Sequence, residues 1–195
     1  MSTVIEEHHA KNILYPPGGI LMWIIIYLEL ITFGAVLVAM VWYSKDEPQL
    51  FHESRLLLNT SFGAINTLFL LVSGFFMALT VGTLKVQNIS KSKLYLKLTM
   101  LGGLLFLALK TVEYIGKIDA GLTMGYNTFF SFYWMLTLFH VIHVIVGLVI
   151  LASVLRTLTK KPENIIMEDV EASATFWHMC DLIWLLLFPV IYLVF

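Results

Sequence analysis

Apolar residues are grouped along the chain into five long runs, and polar residues fall mainly between them. The runs cover residues 18–43, 62–84, 96–116, 127–155 and 173–195. Each is long enough to cross a hydrocarbon core of about 30 Å, which takes about 20 helical residues. They lack the polar and apolar alternation of membrane β-barrel strands. The pattern therefore predicts an all-α polytopic membrane protein, a bundle of five transmembrane helices.

Composition agrees with this pattern and excludes several functions. Of 195 residues, 59% are hydrophobic and 13% are charged, which is more apolar than soluble domains are. A net charge of −1 leaves no basic surplus for a nucleic acid. A single cysteine cannot form an internal disulfide or a thiolate metal cage. Because the loops are short, we expect one integral membrane domain over residues 1–195.

Charges outside the runs predict the orientation. Glu6 and Glu7 precede the first run, where a signal peptide would carry basic residues. Basic residues are concentrated on one side, and cytoplasmic loops are the basic ones. That side carries Lys11, Lys85, Lys91, Lys93, Lys97, Arg156, Lys160 and Lys161, and the other carries Lys45, Arg55 and Lys117. We expect a bacterial-type plasma membrane, with the N-terminus cytoplasmic and the C-terminus outside.

Charged side chains within the runs are the first candidates for function, because each is costly in hydrocarbon unless paired. Glu29 lies near the middle of the first run, in WIIIYLELITFG. It is either a proton-binding or helix-bridging carboxylate, or a neutral acid hydrogen-bonded to a neighbouring helix. Lys110 and Glu113 are three residues apart, where an ion pair forms on one helical face. A structural pair is favoured over a catalytic one. Lys110 also lies near the outer end of the third run, where its side chain could snorkel to the membrane surface.

Histidines of the last two runs form the second set of candidates. His140 and His143 are three residues apart, which predicts rings facing one direction, and His178 is followed by Asp181 at the same spacing. Ligation of a metal or haem is one interpretation. Hydrogen bonding between helices or contact with lipid headgroups is favoured, with Asp181 fixing the tautomer or charge of His178.

Small and amphipathic residues suggest how the helices pack. Asn66 lies in AINTLFLLVSG, a segment of small and polar residues that allow close helix approach and interhelical hydrogen bonds. Glycines of the third and fourth runs serve similarly. Trp177 and Trp184 are seven residues apart and share one stripe of the last run, where they are candidates for packing or lipid contact.

The motifs KTVEY, LFHVIHVIVG and FWHMCDLIWLLLFPVIYL follow one another in the third, fourth and fifth runs. With Glu29 and the Asn-Thr segment in the same order, they make the chain resemble subunit III of the haem-copper cytochrome oxidases, in its short five-helix form. This resemblance extends from about Gly19 to the C-terminus. It implies a helical bundle that lies against catalytic subunit I and binds no metal or redox cofactor itself, while the partner subunits carry haem and copper or iron.

The resemblance also implies roles for particular residues. The family's carboxylate matching Glu29 is the buried one that a hydrophobic carbodiimide modifies, and the residues matching Glu113, His140, His143 and His178 lie among polar contacts of the bundle. It implies a phospholipid cleft and a part in oxygen supply, proton uptake and stable turnover. Compared with the seven-helix members, the resemblance leads us to expect no counterpart of their two N-terminal helices, so that one wall of the cleft would have to come from another chain.

Two alternatives stay open at this stage. The run FFSFYWMLTLFH and the ending FWHMCDLIWLLLFP also resemble the five-helix branch associated with nitric oxide reductase. The other alternative is a haem b-binding membrane anchor. It is disfavoured because His178 differs in expected depth from His140 and His143 by about 10–15 Å. These three histidines are too few for the haem-copper centre, so the chain is not expected to be catalytic.

Overall fold

The computed structural model describes residues 18–195, and all their regular structure is helical. Expectations about Glu6, Glu7 and Lys11 fall outside the described residues. The helices are α1 (Gly19–Tyr43), α2 (Pro48–Leu56), α3 (Thr60–Lys85), α4 (Ile89–Asp119), α5 (Thr128–Lys160) and α6 (Met167–Tyr192), with one 3₁₀ turn at Pro162–Asn164. In the described part, five of them, all but α2, are long and apolar enough to cross a membrane. The predicted five-helix, all-α fold is confirmed.

Helix boundaries differ from the predicted spans where the helix continues into polar sequence. Helix α4 begins at Ile89, seven residues before the expected start, so lysines assigned to a loop are helical. Helix α6 likewise begins at Met167 and ends at Tyr192, short of the expected C-terminal end. The short helix α2 was not predicted.

Asparagine caps explain several of these starting points. Asn59 accepts from the backbone N–H of Ser61 (3.0 Å) at the start of α3. Asn88 accepts from Lys91 N–H (3.2 Å) before α4, and Asn127 accepts from the first turn of α5. Each side chain satisfies a backbone donor that has no partner within the helix.

Helix α6 is the most buried of the five spans and packs against α1, α3 and α5. Helices α3 and α4 make the most extensive helix pair, and α1 contacts only α5 and α6 appreciably. The centre of the bundle is therefore occupied by α6, while α1 lies at its edge.

Two glycines hold the indole of Trp177, which is completely buried. A Cβ atom added at Gly103 of α4 would lie 2.6 Å from Cη2 of Trp177, and one added at Gly147 of α5 would lie 2.8 Å from Cε3. The absence of side chains at these positions lets α4 and α5 close on the ring. Small residues thus permit close helix packing, as expected.

Candidate functional site: buried polar clusters of the bundle

Lys110 and Glu113 form an ion pair inside the bundle, with Nζ 3.0 Å from Oε2. Lys110 is 1% exposed, so it does not snorkel. Its ammonium also donates to the hydroxyl of Tyr192 of α6 (2.9 Å) and to that of Tyr133 of α5 (3.3 Å). Both hydroxyls donate to Oε1 of Glu113, at 2.7 Å from Tyr192 and 2.9 Å from Tyr133. We call these four residues the lysine cluster.

The lysine cluster is closed in its hydrogen bonding. An ammonium has three donors, and each has an acceptor. Both carboxylate oxygens of Glu113 accept, and each hydroxyl donates once and accepts once. The ammonium also lies 4.9–5.5 Å from four aromatic ring centroids, which are Tyr114, Tyr133, Trp184 and Tyr192. Electrostatic attraction between a cation and aromatic faces adds to the ion pair. The arrangement joins α4, α5 and α6 and needs no further partner.

Two further cations tie this end of the bundle to the α2 region. Lys117, one helical turn beyond Glu113 along α4, donates to the backbone carbonyl of Leu57. Arg55 of α2 donates to the carbonyl of Tyr192 at 3.3 Å. Arg55 and Lys117, which the sequence predicted to flank the membrane spans, therefore bond backbone carbonyls at the ends of other helices.

Trp177 and Trp184 attach α6 to α3 through their indole N–H groups. Trp177 donates to the hydroxyl of Ser73 (3.0 Å), which itself donates to the carbonyl of Thr99 in α4 (2.7 Å). Two helical turns along, Trp184 donates to the hydroxyl of Thr67 (2.9 Å). The tryptophans predicted to share a stripe thus make equivalent bonds to one neighbouring helix.

Asn66 and His140 are completely buried near Trp184. The ring of His140 lies 5.3 Å from that of Trp184 and meets Phe106 edge-on at 5.5 Å. Asn66 directly precedes Thr67, whose hydroxyl accepts the hydrogen bond from the indole N–H of Trp184. Among residues 18–195, neither the ring nitrogens of His140 nor the amide atoms of Asn66 have a hydrogen-bond partner. The polar residues at the centre of the bundle are therefore less completely paired than the lysine cluster.

Glu29 of α1 faces His143 of α5, with Oε2 3.4 Å from Nε2. The other ring nitrogen of His143, Nδ1, is 2.8 Å from the carbonyl of Phe139. Because a carbonyl only accepts, that nitrogen carries hydrogen, and any hydrogen between the two side chains lies on Nε2 or on the carboxyl. The side chain of Glu29 is 25% exposed, so it lies at the edge of the bundle and is not deeply buried.

His140 and His143 make different sets of interhelical contacts, contrary to the expected common direction. His140 packs against α4 and α6, whereas His143 contacts Glu29 and Phe33 of α1. Three residues rotate by about 300° on a helix, which leaves about 60° between the two side chains. That angle is enough to place them in different interhelical contacts.

His178 and Asp181 of α6 lie beside Gly74 of α3. Nδ1 of His178 is 3.4 Å from Oδ2 of Asp181. A Cβ atom added at Gly74 would collide with that carboxylate oxygen. Asp181 is 7% exposed, while the side chain of His178 is 45% exposed. The glycine therefore makes room for the carboxyl, which in turn positions the imidazole at the surface.

Within residues 18–195, no three histidine, cysteine, aspartate or glutamate side chains are grouped closely enough to hold a metal ion. The polar groups found there are pairs and a closed cluster of lysine, glutamate and tyrosines. This arrangement connects the helices of the bundle.

The closure of the lysine cluster depends on Tyr133 and Tyr192, which sequence reasoning did not select. Both lie among apolar residues, as ordinary packing tyrosines do. The one available signal was the buried ion pair itself. A Lys-Glu pair offers three ammonium donors and four carboxylate lone-pair positions, so it requires further hydroxyl partners.

Comparison with known proteins identifies the class. Residues 55–194 match the family model of cytochrome c oxidase subunit III. The chain is 30% identical to cytochrome bo(3) ubiquinol oxidase subunit 3 of Buchnera aphidicola subsp. Schizaphis graminum, over 97% of this chain and 98% of that protein. It is 28% identical to the protein of the same name from subsp. Acyrthosiphon pisum, over 88% and 84% of the two chains. It is 34% identical to cytochrome c oxidase subunit 3 of Drosophila melanogaster, over 66% of this chain and 48% of that one.

A helical membrane bundle with these matches is an accessory component of a respiratory oxidase. The chain belongs to the haem-copper oxidase subunit III family. It is thus a multi-pass, non-catalytic subunit, and the family implies association with a haem-copper oxidase complex. Members do not themselves bind haem or copper. The resemblance inferred from the motifs is confirmed, and neither the nitric oxide reductase nor the haem-anchor alternative is favoured.

Proposed function

We propose that this chain stabilises the catalytic subunit of a haem-copper oxidase by lying against it as a rigid bundle. The closed lysine cluster supports this proposal most directly. Four polar side chains from three helices satisfy one another at the core. Because helices with an unsatisfied buried ion would separate or hydrate, closure gives a bundle of fixed shape. A fixed shape is what a supporting subunit requires.

An oxygen-reducing oxidase is the proposed partner. The relatives described above are named as subunits of ubiquinol or cytochrome c oxidases, and the ubiquinol oxidase subunits from Buchnera align over most of their length. The basic residues between α3 and α4 and after α5 support a cytoplasmic location for these loops and for the N-terminus.

A lipid role is proposed for the edge of the bundle at α1. An apolar groove of about 240 Å³ lies between α1 and α5, and it is lined by Thr32, Phe33, Val36, Met135, Leu136 and Phe139. The pair of Glu29 and His143, whose side chains are 25% and 12% exposed, lies one helical turn away. This combination suits an acyl chain beside a polar group, and it supports phospholipid binding and an influence on proton supply to the partner.

Co-purification tests the proposal. We expect an affinity tag on this chain to recover a catalytic subunit that shows haem absorbance and reduces oxygen. Deletion of the chain should leave an oxidase that loses activity faster during turnover. The purified chain alone should show no Soret band, since the haem belongs to the partner. Recovery of a nitric oxide reductase, or a stoichiometric Soret band from the chain alone, would contradict the proposal.

A further inference from the structure

One surface of α6 remains exposed although this helix occupies the centre of the bundle. The exposed side chains His178, Leu182 and Leu185 follow one another at helical spacing and form what we call the α6 stripe. Asp181 faces Gly74 of α3 on one side of the stripe, and Ala172 faces Gly18 at the start of α1 on the other. Because α1 and α3 hardly touch each other, the α6 stripe is the floor of a shallow groove between them.

His178 lies within the apolar part of α6. It is seven residues beyond Glu171, which pairs with Lys85 of α3, and so about 10 Å along the helix from that charged level. Its side chain is 45% exposed, compared with 25% for Glu29 and 12% for His143. Those two side chains face each other, whereas His178 has one nitrogen directed to Asp181 and the other left to the surface. Within the described part of the chain, no group bonds its Nε2 atom.

Hydrocarbon lipid does not satisfy such a group. A polar group without a hydrogen bond in an apolar medium costs several kcal/mol, so polar side chains at this depth face protein or a cavity. Exposed positions on other helix faces include Leu105 of α4 and Ile142 of α5, which are apolar. These faces suit lipid, and the α6 stripe does not.

We propose that the α6 stripe is the docking surface for a transmembrane helix of the catalytic subunit, which donates a hydrogen bond to Nε2 of His178. The inference rests on the proposed function, in which the catalytic subunit is the partner. Nδ1 of His178 is directed at Asp181, 3.4 Å away, and a ring whose hydrogen is on Nδ1 has Nε2 free as an acceptor. A hydroxyl, amide or indole N–H of the partner fits this acceptor. Leu182 and Leu185 supply the apolar contact around it.

Site-specific photocrosslinking in the assembled membrane complex locates the interface. A photoreactive phenylalanine analogue replaces Leu182 or Leu185, and Ile142 and Leu105 serve as exposed controls on other faces. The proposal requires crosslinks to the catalytic subunit from Leu182 and Leu185 and at most background from the controls. Crosslinks from the controls alone, equal yields from all four positions, or a crosslink from Leu182 to a second copy of this chain would overturn it.

Variants of His178 test the hydrogen bond. The amide of glutamine reaches the position of Nε2, whereas that of asparagine reaches only that of Nδ1. With a tag on this chain, we expect His178→Gln to recover as much catalytic subunit as the wild type. His178→Asn and His178→Leu should recover about fivefold less, which corresponds to the loss of one hydrogen bond. The matched control is Thr111→Val, which removes an exposed hydroxyl already bonded to its own helix. Unchanged recovery with His178→Leu, together with absent crosslinks, refutes the docking surface.

The outcomes separate the inference from the proposed function. If the wild-type tag recovers the oxidase but crosslinks arise from another face, only the docking surface is wrong. If the wild-type tag recovers no oxidase catalytic subunit, the proposed function fails first.

Discussion

Removing the carboxylate of the lysine cluster gives the most decisive test of the buried network. Glu113→Leu leaves the Lys110 ammonium, which is 1% exposed, without its counter-ion. It also removes the acceptor of two tyrosine hydroxyls, at 2.7 and 2.9 Å. Breaking a buried pair by removing one partner costs about 3–5 kcal/mol, because a charge is left uncompensated. We therefore expect Glu113→Leu to destabilise the chain by about this amount.

A double-mutant cycle separates the ion pair from ordinary packing. Lys110→Met alone leaves the carboxylate of Glu113 with its two tyrosine donors, so it should cost less. The double variant carries no charge and should recover at least about 2 kcal/mol relative to Glu113→Leu, since uncharged replacements of buried pairs are often tolerated. The control Thr111→Val changes an exposed side chain of the same helix that bonds its own backbone, and it should stay within about 0.5 kcal/mol.

Reversible unfolding of the purified subunit in detergent, followed by tryptophan fluorescence, provides the free energies. Recovery of the oxidase complex with each variant provides a second measurement in the native membrane. A coupling energy between positions 110 and 113 below about 0.5 kcal/mol would refute the assignment of the pair as the centre of the network.

Three further outcomes follow from the same contacts. Gly147→Ala should lower the stability of the chain by about 1–3 kcal/mol, because the new methyl group meets the Trp177 ring. The control Gly34→Ala, with nothing within 4 Å of the new methyl group, should be nearly neutral. Thermal unfolding in detergent compares the two variants. Trp184→Phe removes one interhelical hydrogen bond and should cost about 0.6 kcal/mol from the bond, plus lost packing, which the same assay measures. Glu29 should react with a hydrophobic carbodiimide, with mass spectrometry locating the adduct. Absence of an adduct at Glu29 would contradict this last expectation.

The membrane fold could be predicted from hydropathy because every span must be apolar over about 20 residues. The ends of the helices could not be predicted in this way, because they are set by capping residues and by polar helical turns. The lysine-bearing first turns of α4 show this, since the backbone there is helical although the sequence is polar. Helix α2 was missed because its nine residues are too few and too polar to give a membrane signal.

Contacts within one helix were predictable, and contacts between helices were not. The spacing of Lys110 and Glu113 indicated a pair on one face, which the structure contains. The bond from Glu113 to Tyr192 crosses 79 residues of sequence, and its formation depends on the relative depth of α4 and α6. His140 and His143 show the same limit, since spacing alone did not indicate that their rings enter different interhelical contacts.

The lysine cluster also determines how the bundle responds to membrane voltage. One elementary charge moved across the whole membrane does about 2.3 kcal/mol of work per 100 mV. The charges of Lys110 and Glu113 are separated by 3.0 Å, about a tenth of the hydrocarbon thickness. Even a complete collapse of this charge pair would thus change the energy by about 0.2 kcal/mol per 100 mV, which is below thermal energy. The ion pair in the core of this subunit is accordingly insensitive to changes in membrane voltage.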